Sequence, residues 1–180
     1  KTRVCGVIGD PIEHSLSPIL HNAAFNSLKL DYAFLAFKVK PAEVGNAING
    51  MRALGIAGLN VTMPHKKSVI SHLDEIDQTA KFLNAVNTIH NKNGKLLGFN
   101  TDGVGALKAL KENGVNPAGK KVLLLGSGGA ARAIAYALAK EADELVVLNR
   151  TVEQAKELAS LLNRTFSKKV VADSLTPSAI

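Results

Sequence analysis

One cysteine, no tryptophan and an aromatic content of 4% set this 180-residue sequence apart before any motif is considered. The single thiol, Cys5, has no second cysteine to pair with, which excludes an internal disulfide and any metal site built on clustered cysteines. It sits in the apolar run from Val4 to Ile8 and reads as a packed strand residue. Long apolar runs are also lacking. None approaches the length needed to cross a bilayer, and residues 1–30 do not show the basic-then-apolar layout of a signal peptide. The expectation is a cytoplasmic protein with no membrane partner. The shortage of aromatics also bears on the formal net charge of +7, because proteins that hold single-stranded nucleic acid interleave aromatic with basic residues. Here the basic residues are scattered, with no more than short clusters such as His65-Lys66-Lys67 and Lys168-Lys169, so no nucleic-acid partner is expected. The charge reads instead as a general attraction for anions such as phosphorylated cofactors and carboxylates. Internal repeats and low-complexity segments are absent.

What is present has the composition of an ordinary globular chain, 46% hydrophobic and 21% charged, enough for one good core or two small ones. Runs rich in β-formers at 3–8, 32–39 and 58–62 alternate with helical patterns at 18–28 and 41–54. Such alternation predicts a mostly parallel sheet with helices on its faces, since parallel neighbours need crossover connections. Helical segments are expected at 66–71 and 76–85. Strands at 86–90 and 95–99 flank Asn93-Gly94, the pair best suited to the positive φ angles of a tight hairpin. A helix at 102–113, ended by Gly114, leads to a linker at 115–119 that contains Pro117 and Gly119. The pattern then restarts as strand 121–125, glycine-rich turn, helix 130–140, strand 144–148, helix 152–162 and strand 169–172. The expected fold class is α/β: a mostly parallel α/β domain over 1–114, followed by a partial Rossmann-like domain over 115–180.

The glycine-rich turn Gly126-Ser127-Gly128-Gly129-Ala130-Ala131 fits G-x-G-x-x-A between a strand and a helix. One glycine makes the turn, another lets backbone approach a pyrophosphate, and a small residue at Ala131 permits close helix–strand packing. The helix N-terminus then faces the phosphates. A site for NAD expects Asp or Glu at the end of the next strand; the sequence there is Asn149-Arg150-Thr151. A guanidinium suits a 2′-phosphate, so Arg150 points to NADP, with Asn149 and Thr151 adding neutral hydrogen bonds. The plainer reading makes Thr151 and Gln154 a capping box and Arg150 a surface charge.

Polar clusters fall at the expected strand ends, where open α/β sheets bind ligands. His14-Ser15-Leu16-Ser17-Pro18 offers hydroxyls at a helix start, where Ser17 also reads as an N-cap. Asn60-Val61-Thr62-Met63-Pro64-His65-Lys66-Lys67 follows a strand that Pro64 prevents from continuing. Asn84-Ala85-Val86-Asn87-Thr88 and Gly98-Phe99-Asn100-Thr101-Asp102-Gly103 complete the set, with Asp102 also readable as an acidic first-turn residue.

Taken in order, with Ile8-Gly9-Asp10-Pro11-Ile12-Glu13 before the first cluster, His21-Asn22 after it and the cofactor turn behind, these runs resemble the shikimate dehydrogenase family over residues 8–151. The resemblance implies NADPH-dependent reduction of 3-dehydroshikimate to shikimate, a step towards aromatic amino acids. It assigns the substrate carboxylate to Ser15 and Ser17, the ring hydroxyls to Asn60, Thr62, Asn87 and Asp102, and catalysis to Lys66 with Asp102. It implies no metal, and the spacing of His14, His21 and His65 matches no zinc signature; local hydrogen bonding is expected for all three. A quinate/shikimate or amino-shikimate relative is the nearest alternative, and a non-enzymatic NADP-binding regulator is an alternative of another class. A homodimer stays open. Family members continue beyond this length, so the chain, beginning at Lys1 and ending at Ile180, reads as part of a longer or bifunctional protein.

Overall fold

The computed structural model describes residues 1–167 and 169–176; Lys168, half of one short basic pair, and residues 177–180 lie outside them. The chain divides into two units, Lys1–Asn100 and the residues from Thr101 onward.

In the first unit, β1 (Arg3–Gly9), α1 (Ser17–Ser27), β2 (Tyr32–Lys38), α2 (Val44–Ala53) and β3 (Gly58–Val61) follow the expected alternation. A 3₁₀ turn (Ser68–His72), β4 (Glu75–Ile76), α3 (Gln78–Leu83), β5 (Thr88–Lys92) and β6 (Lys95–Phe99) complete it. The sheet order is β2-β1-β3-β5-β6-β4, and β5 runs antiparallel to both its neighbours while the other pairs are parallel. The reversal is made at Asn93 (φ 54°) and Gly94 (φ 90°), with the Gly94 N–H donating to Asn91 Oδ1 at 2.8 Å. On α2, Val44, Ile48 and Met51 recur at helical spacing and are buried with Ile8, Leu59, Val61, Ile89 and Leu96 of the sheet. The opposite face carries a smaller cluster of Val7, Ile12 and Phe34, against which Cys5 and Phe25 pack. Burial raises the Cys5 thiol pKa, as expected of a packed strand cysteine.

Two expected helices differ. Residues 66–71 form a turn and then the 3₁₀ segment, because Pro64 opens the stretch and the His65 N–H bonds back only three residues, to Thr62 O at 2.9 Å. Ile76 belongs to β4, paired with Gly98, and α3 starts after Asp77, whose side chain accepts from the Ala80 N–H at 2.7 Å.

In the second unit, α4 (Asp102–Glu112), β7 (Lys121–Leu125), α5 (Gly129–Glu141), β8 (Glu144–Asn149), α6 (Val152–Phe166) and β9 (Lys169–Ser174) give a parallel sheet in the order β7-β8-β9, a Rossmann-like βαβαβ half. On α6, Ala155, Leu158, Ala159 and Leu162 form the buried stripe. The helix runs past the expected 162 to Phe166, whose ring meets Tyr136 edge-on at 5.0 Å. The boundary expected after Gly114 falls after Asn100 instead, because α4 packs closely on α5. A Cβ added at Gly103 would clash with the Ala133 carbonyl oxygen and lie 3.0 Å from Ala137 Cβ.

That contact predicts a contrast within one helix. Gly103→Ala is expected to destabilise the protein by about 1–3 kcal/mol through overpacking against backbone. Gly105→Ala, where an added Cβ meets nothing within 4 Å, is expected to stabilise it by about 0.5–1 kcal/mol through helix propensity. Denaturant titrations giving the two variants the same sign would contradict the close packing of α4 on α5.

Candidate functional site

Parallel strands deliver their carboxyl ends to one edge of a sheet, and an antiparallel strand brings its beginning there. At this edge of the first unit, Ile8 pairs with Val61, Asn60 with Thr88, and Thr88 with Phe99. The polar clusters of the sequence that belong to this unit therefore meet along one line: the segment after β1, the segment after β3, the start of β5 and the end of β6.

Main-chain bonds extend this line beyond the strands. The Thr62 N–H donates to Ile8 O at 3.0 Å, the Val61 N–H to Asn87 O at 2.8 Å, and the Asn87 N–H to Phe99 O at 3.0 Å. The Val86 N–H donates to Lys66 O at 2.7 Å, which ties the lysine's peptide to the segment that carries Asn87. Among the side chains, Asn60 Nδ2 donates to Thr88 Oγ1 at 3.4 Å, and that hydroxyl donates to Asn87 Oδ1 at 2.9 Å. Asn60, Thr62, Lys66 and Asn87 are all half-buried. Gly9 is required where β1 meets this edge, since a Cβ there would come within 2.5 Å of Thr62 Cγ2.

Ser15 and Ser17 are also half-buried. Ser17 is the first residue of α1 rather than its cap and makes no side-chain capping bond; its N–H donates to Ser15 Oγ at 3.3 Å. Their loop is strapped to the end of β2 by Lys38, whose ammonium lies 2.8 Å from Glu13 Oε1 and 3.7 Å from Asp10 Oδ1. The hydrogen bond from Lys38, with help from the Ile12 N–H, lowers the Glu13 carboxyl pKa to about 2.

Some residues of these clusters turn out to shape the edge itself. Asn84 ends α3 in the left-handed region at φ 49° and turns the chain towards Asn87. Asn100 is 5% exposed, and its amide donates to Ala85 O at 3.0 Å. The sequence marked neither as structural, though a polar residue beside an expected strand end was the available signal. Of the histidines, His65 hydrogen-bonds Val39 O through its ring, while His21 stacks on Phe34 at 4.1 Å, and Asn22 supplies the bonds to Phe34 backbone. Among the described residues no group of three or more His, Cys, Asp or Glu is placed to hold a metal ion. No helix among them is long and apolar enough to cross a membrane.

Asp102 opens α4 in the second unit, as an acidic residue of the helix's first turn. In the same unit, the glycine-rich turn joins β7 to α5. Gly126 has φ 102°, and its N–H donates to Leu148 O of β8 at 2.7 Å. An added Cβ at Gly126, Gly128 or Gly129 would meet nothing within 4 Å, so the outer side of the turn is open to a ligand next to the free N–H groups at the start of α5. Ala130 is exposed and Ala131 half-buried. At the end of β8, Asn149 is half-buried and Arg150 is exposed. Thr151 precedes α6 without a side-chain capping bond, so the capping box does not form. Gln154 is used differently: its Oε1 accepts from Asn149 Nδ2 at 3.3 Å and from Ser127 Oγ at 3.5 Å, linking the glycine turn to the segment that carries Arg150. The absence of a carboxylate beside Arg150 and the open glycine turn together fit a phosphorylated dinucleotide.

Comparison with known proteins agrees with this division. The family model for the shikimate dehydrogenase substrate binding domain matches residues 7–89, and that for shikimate / quinate 5-dehydrogenase matches residues 108–176. A shikimate dehydrogenase (NADP(+)) of Methanopyrus kandleri is 50% identical over 97% of this chain and 61% of the relative. Among solved structures, a shikimate dehydrogenase in complex with NADP+ superposes with a TM-score of 0.89 at 43% identity, over 99% of this chain and 68% of that one. A 5-ketofructose reductase from Gluconobacter sp. strain CHM43 gives a TM-score of 0.93 at 34% identity, over 98% of this chain and 64% of that one. The chain thus spans about three fifths of the length of the sequence relatives it matches. Two family models in their proper order, and a solved relative of which the chain covers more than two thirds, establish that this chain belongs to the shikimate dehydrogenase family.

Proposed function

We propose that the protein of which this chain forms part is an NADP-dependent shikimate dehydrogenase, catalysing 3-dehydroshikimate + NADPH + H⁺ ⇌ shikimate + NADP⁺. The observation that carries the reading is the convergence of Asn60, Thr62, Lys66 and Asn87 on one edge of the first unit's sheet, at the end of the strand that leads to Ser15 and Ser17. The substrate is a carboxylate with ring hydroxyls, and these side chains supply the matching chemistry: paired hydroxyls for the carboxylate, and amides and a hydroxyl for the ring.

NADPH, when bound, supplies the hydride that reaches the C3 carbonyl. Negative charge then develops on the carbonyl oxygen, and the Lys66 ammonium would stabilise it and donate the proton; in the reverse direction the amine takes the proton back. Asp102 is assigned the second role in the pair by the family pattern: its carboxylate would accept from a ring hydroxyl and balance the ammonium charge. Gly126, Ser127, Gly128, Gly129, Ala130 and Ala131 would hold the pyrophosphate, and Asn149, Arg150 and Thr151 the 2′-phosphate. The likeness to a 5-ketofructose reductase supports a second reading, in which the same edge binds a neutral polyol-like ketone. There the serines would have no carboxylate to hold.

Two tests, both in the full-length chain, check the substrate and the cofactor in turn. Oxidation of shikimate, quinate and a neutral polyol is measured with NADP and NAD by cofactor absorbance, alongside Lys66→Ala. Shikimate- and NADP-dependent turnover that falls by about 10²–10⁴-fold in the variant is expected for a lost general acid–base. Turnover of the polyol alone would favour the second reading, and no turnover of any of them would favour a non-enzymatic NADP-binding regulator. Separately, Arg150→Ala is expected to weaken NADP binding by about 10- to 100-fold, the loss of a charge-assisted hydrogen bond, with NAD binding little changed. Equal weakening of both cofactors in calorimetry would remove Arg150 from the 2′-phosphate.

A further inference from the structure

His65 stands next to Lys66 in the sequence, yet at 1% exposure no substrate can reach its ring. Its Nε2 lies 2.7 Å from the carbonyl oxygen of Val39, the residue that comes directly after β2. A carbonyl can only accept, so Nε2 carries the proton and donates. Val39 is itself fixed, since its N–H donates to Gly9 O at the end of β1 at 3.1 Å. The ring therefore acts as a strut from the turn after β3 to the ends of β2 and β1.

The backbone around the ring is committed as well. The His65 N–H donates to Thr62 O at 2.9 Å, and His65 O accepts from the Val69 N–H at 3.1 Å and from Ser68 Oγ at 3.2 Å. On the far side, Lys66 O accepts from the Val86 N–H at 2.7 Å. The turn after β3 lacks a strand ladder to hold it, and these bonds take the ladder's place. Without the strut, the turn keeps its own bonds, the Val86 N–H on Lys66 O and, upstream of Pro64, the Thr62 N–H on Ile8 O at 3.0 Å and the Asp10 N–H on Met63 O at 3.1 Å; from Pro64 onward the ring is the tie to the ends of β2 and β1.

We infer that His65 is a positioning residue for Lys66: its buried ring fixes the turn from which the lysine projects and sets where the ammonium stands. The inference rests on the reading of Lys66 as the proton donor. Histidine suits the task because it combines a volume that fills the space under the turn with one donor at the far end of a rigid ring. A glutamine amide at Nε2 reaches a similar distance, an asparagine amide falls one methylene short, and a phenylalanine fills the space without donating.

The test compares His65→Gln, His65→Asn and His65→Phe in the full-length chain, each checked for folding by thermal melting, together with Lys66→Ala and the double variant His65→Asn/Lys66→Ala. Expected are a kcat lowered by about 10- to 100-fold in the Asn and Phe variants with KM for shikimate and NADP little changed, and a kcat close to the parent's in the Gln variant. In the Lys66→Ala background, His65→Asn is expected to add no further loss, because the histidine acts through the lysine. The inference is overturned by folded Asn or Phe variants that keep parental kcat, or by the same fractional loss with and without Lys66. If only one of them folds, that variant decides. Absence of turnover in the parent chain would overturn the dehydrogenase reading itself, which is a separate result.

Discussion

The hydrogen-bond ladder of the first unit continues past the ends of its strands, and the geometry of the candidate site depends on that continuation. Thr62, Asn87 and Lys66 lie outside the regular strands, yet their peptide groups bond to Ile8, Val61, Phe99 and Val86. Each such bond nets only about 1 kcal/mol, so no single member holds the edge. Together they leave the segments after β1 and β3 and before β5 little freedom to shift against one another. Side chains on a backbone committed in this way arrive at set separations, which is what a small, densely functionalised ligand requires.

The second unit solves a related problem with fewer bonds. Its glycine turn is fixed at the base by Gly126 to Leu148 and at the side by Gln154, which accepts from Ser127 and Asn149 at once. The first of these bonds keeps the turn against β8, and the second ties it to the segment carrying Arg150. The open glycine turn and the cation at the next strand end thus share one polar bridge. In both units the candidate site residues lie at strand ends and the apolar stripes on the faces, as expected where sheets carry helices.

Much of this could be read from the sequence where the pattern was local. The alternation of β-formers and helical stripes located the main elements, Asn93-Gly94 located the hairpin, and the strand before Gly126 located the glycine-rich turn. The misreadings have non-local causes. Ile76 is apolar and lies before a helical stretch, but pairing with Gly98, distant in sequence, makes it a strand residue. The linker around Pro117 and Gly119 looked like a domain boundary, whereas the contact of Gly103 with Ala133 joins α4 to α5 and so to the second unit. Thr151 and Gln154 have the spacing of a capping box, but the Gln154 carbonyl instead accepts from Ser127 and Asn149 across the turn. His65 read as a histidine with some local bond; that its partner is Val39 could not be known before β2 and β3 were placed on either side of β1.

The hairpin of β5 and β6 also settles where the first unit can accept change. Because β5 begins at the polar edge and runs away from it, the Asn93-Gly94 tip lies at the opposite edge, separated from Asn87 and Thr88 by the length of the strand, about 17 Å for five residues. A label, a short peptide insert or a new chain terminus introduced at this tip would give up the Arg52 contact with Gly94 O and leave the bonds of the polar edge untouched. The reversal that brings the start of β5 into line with the ends of its neighbours thus also creates, at the far side of the same sheet, a handle for attaching probes at a distance from the chemistry.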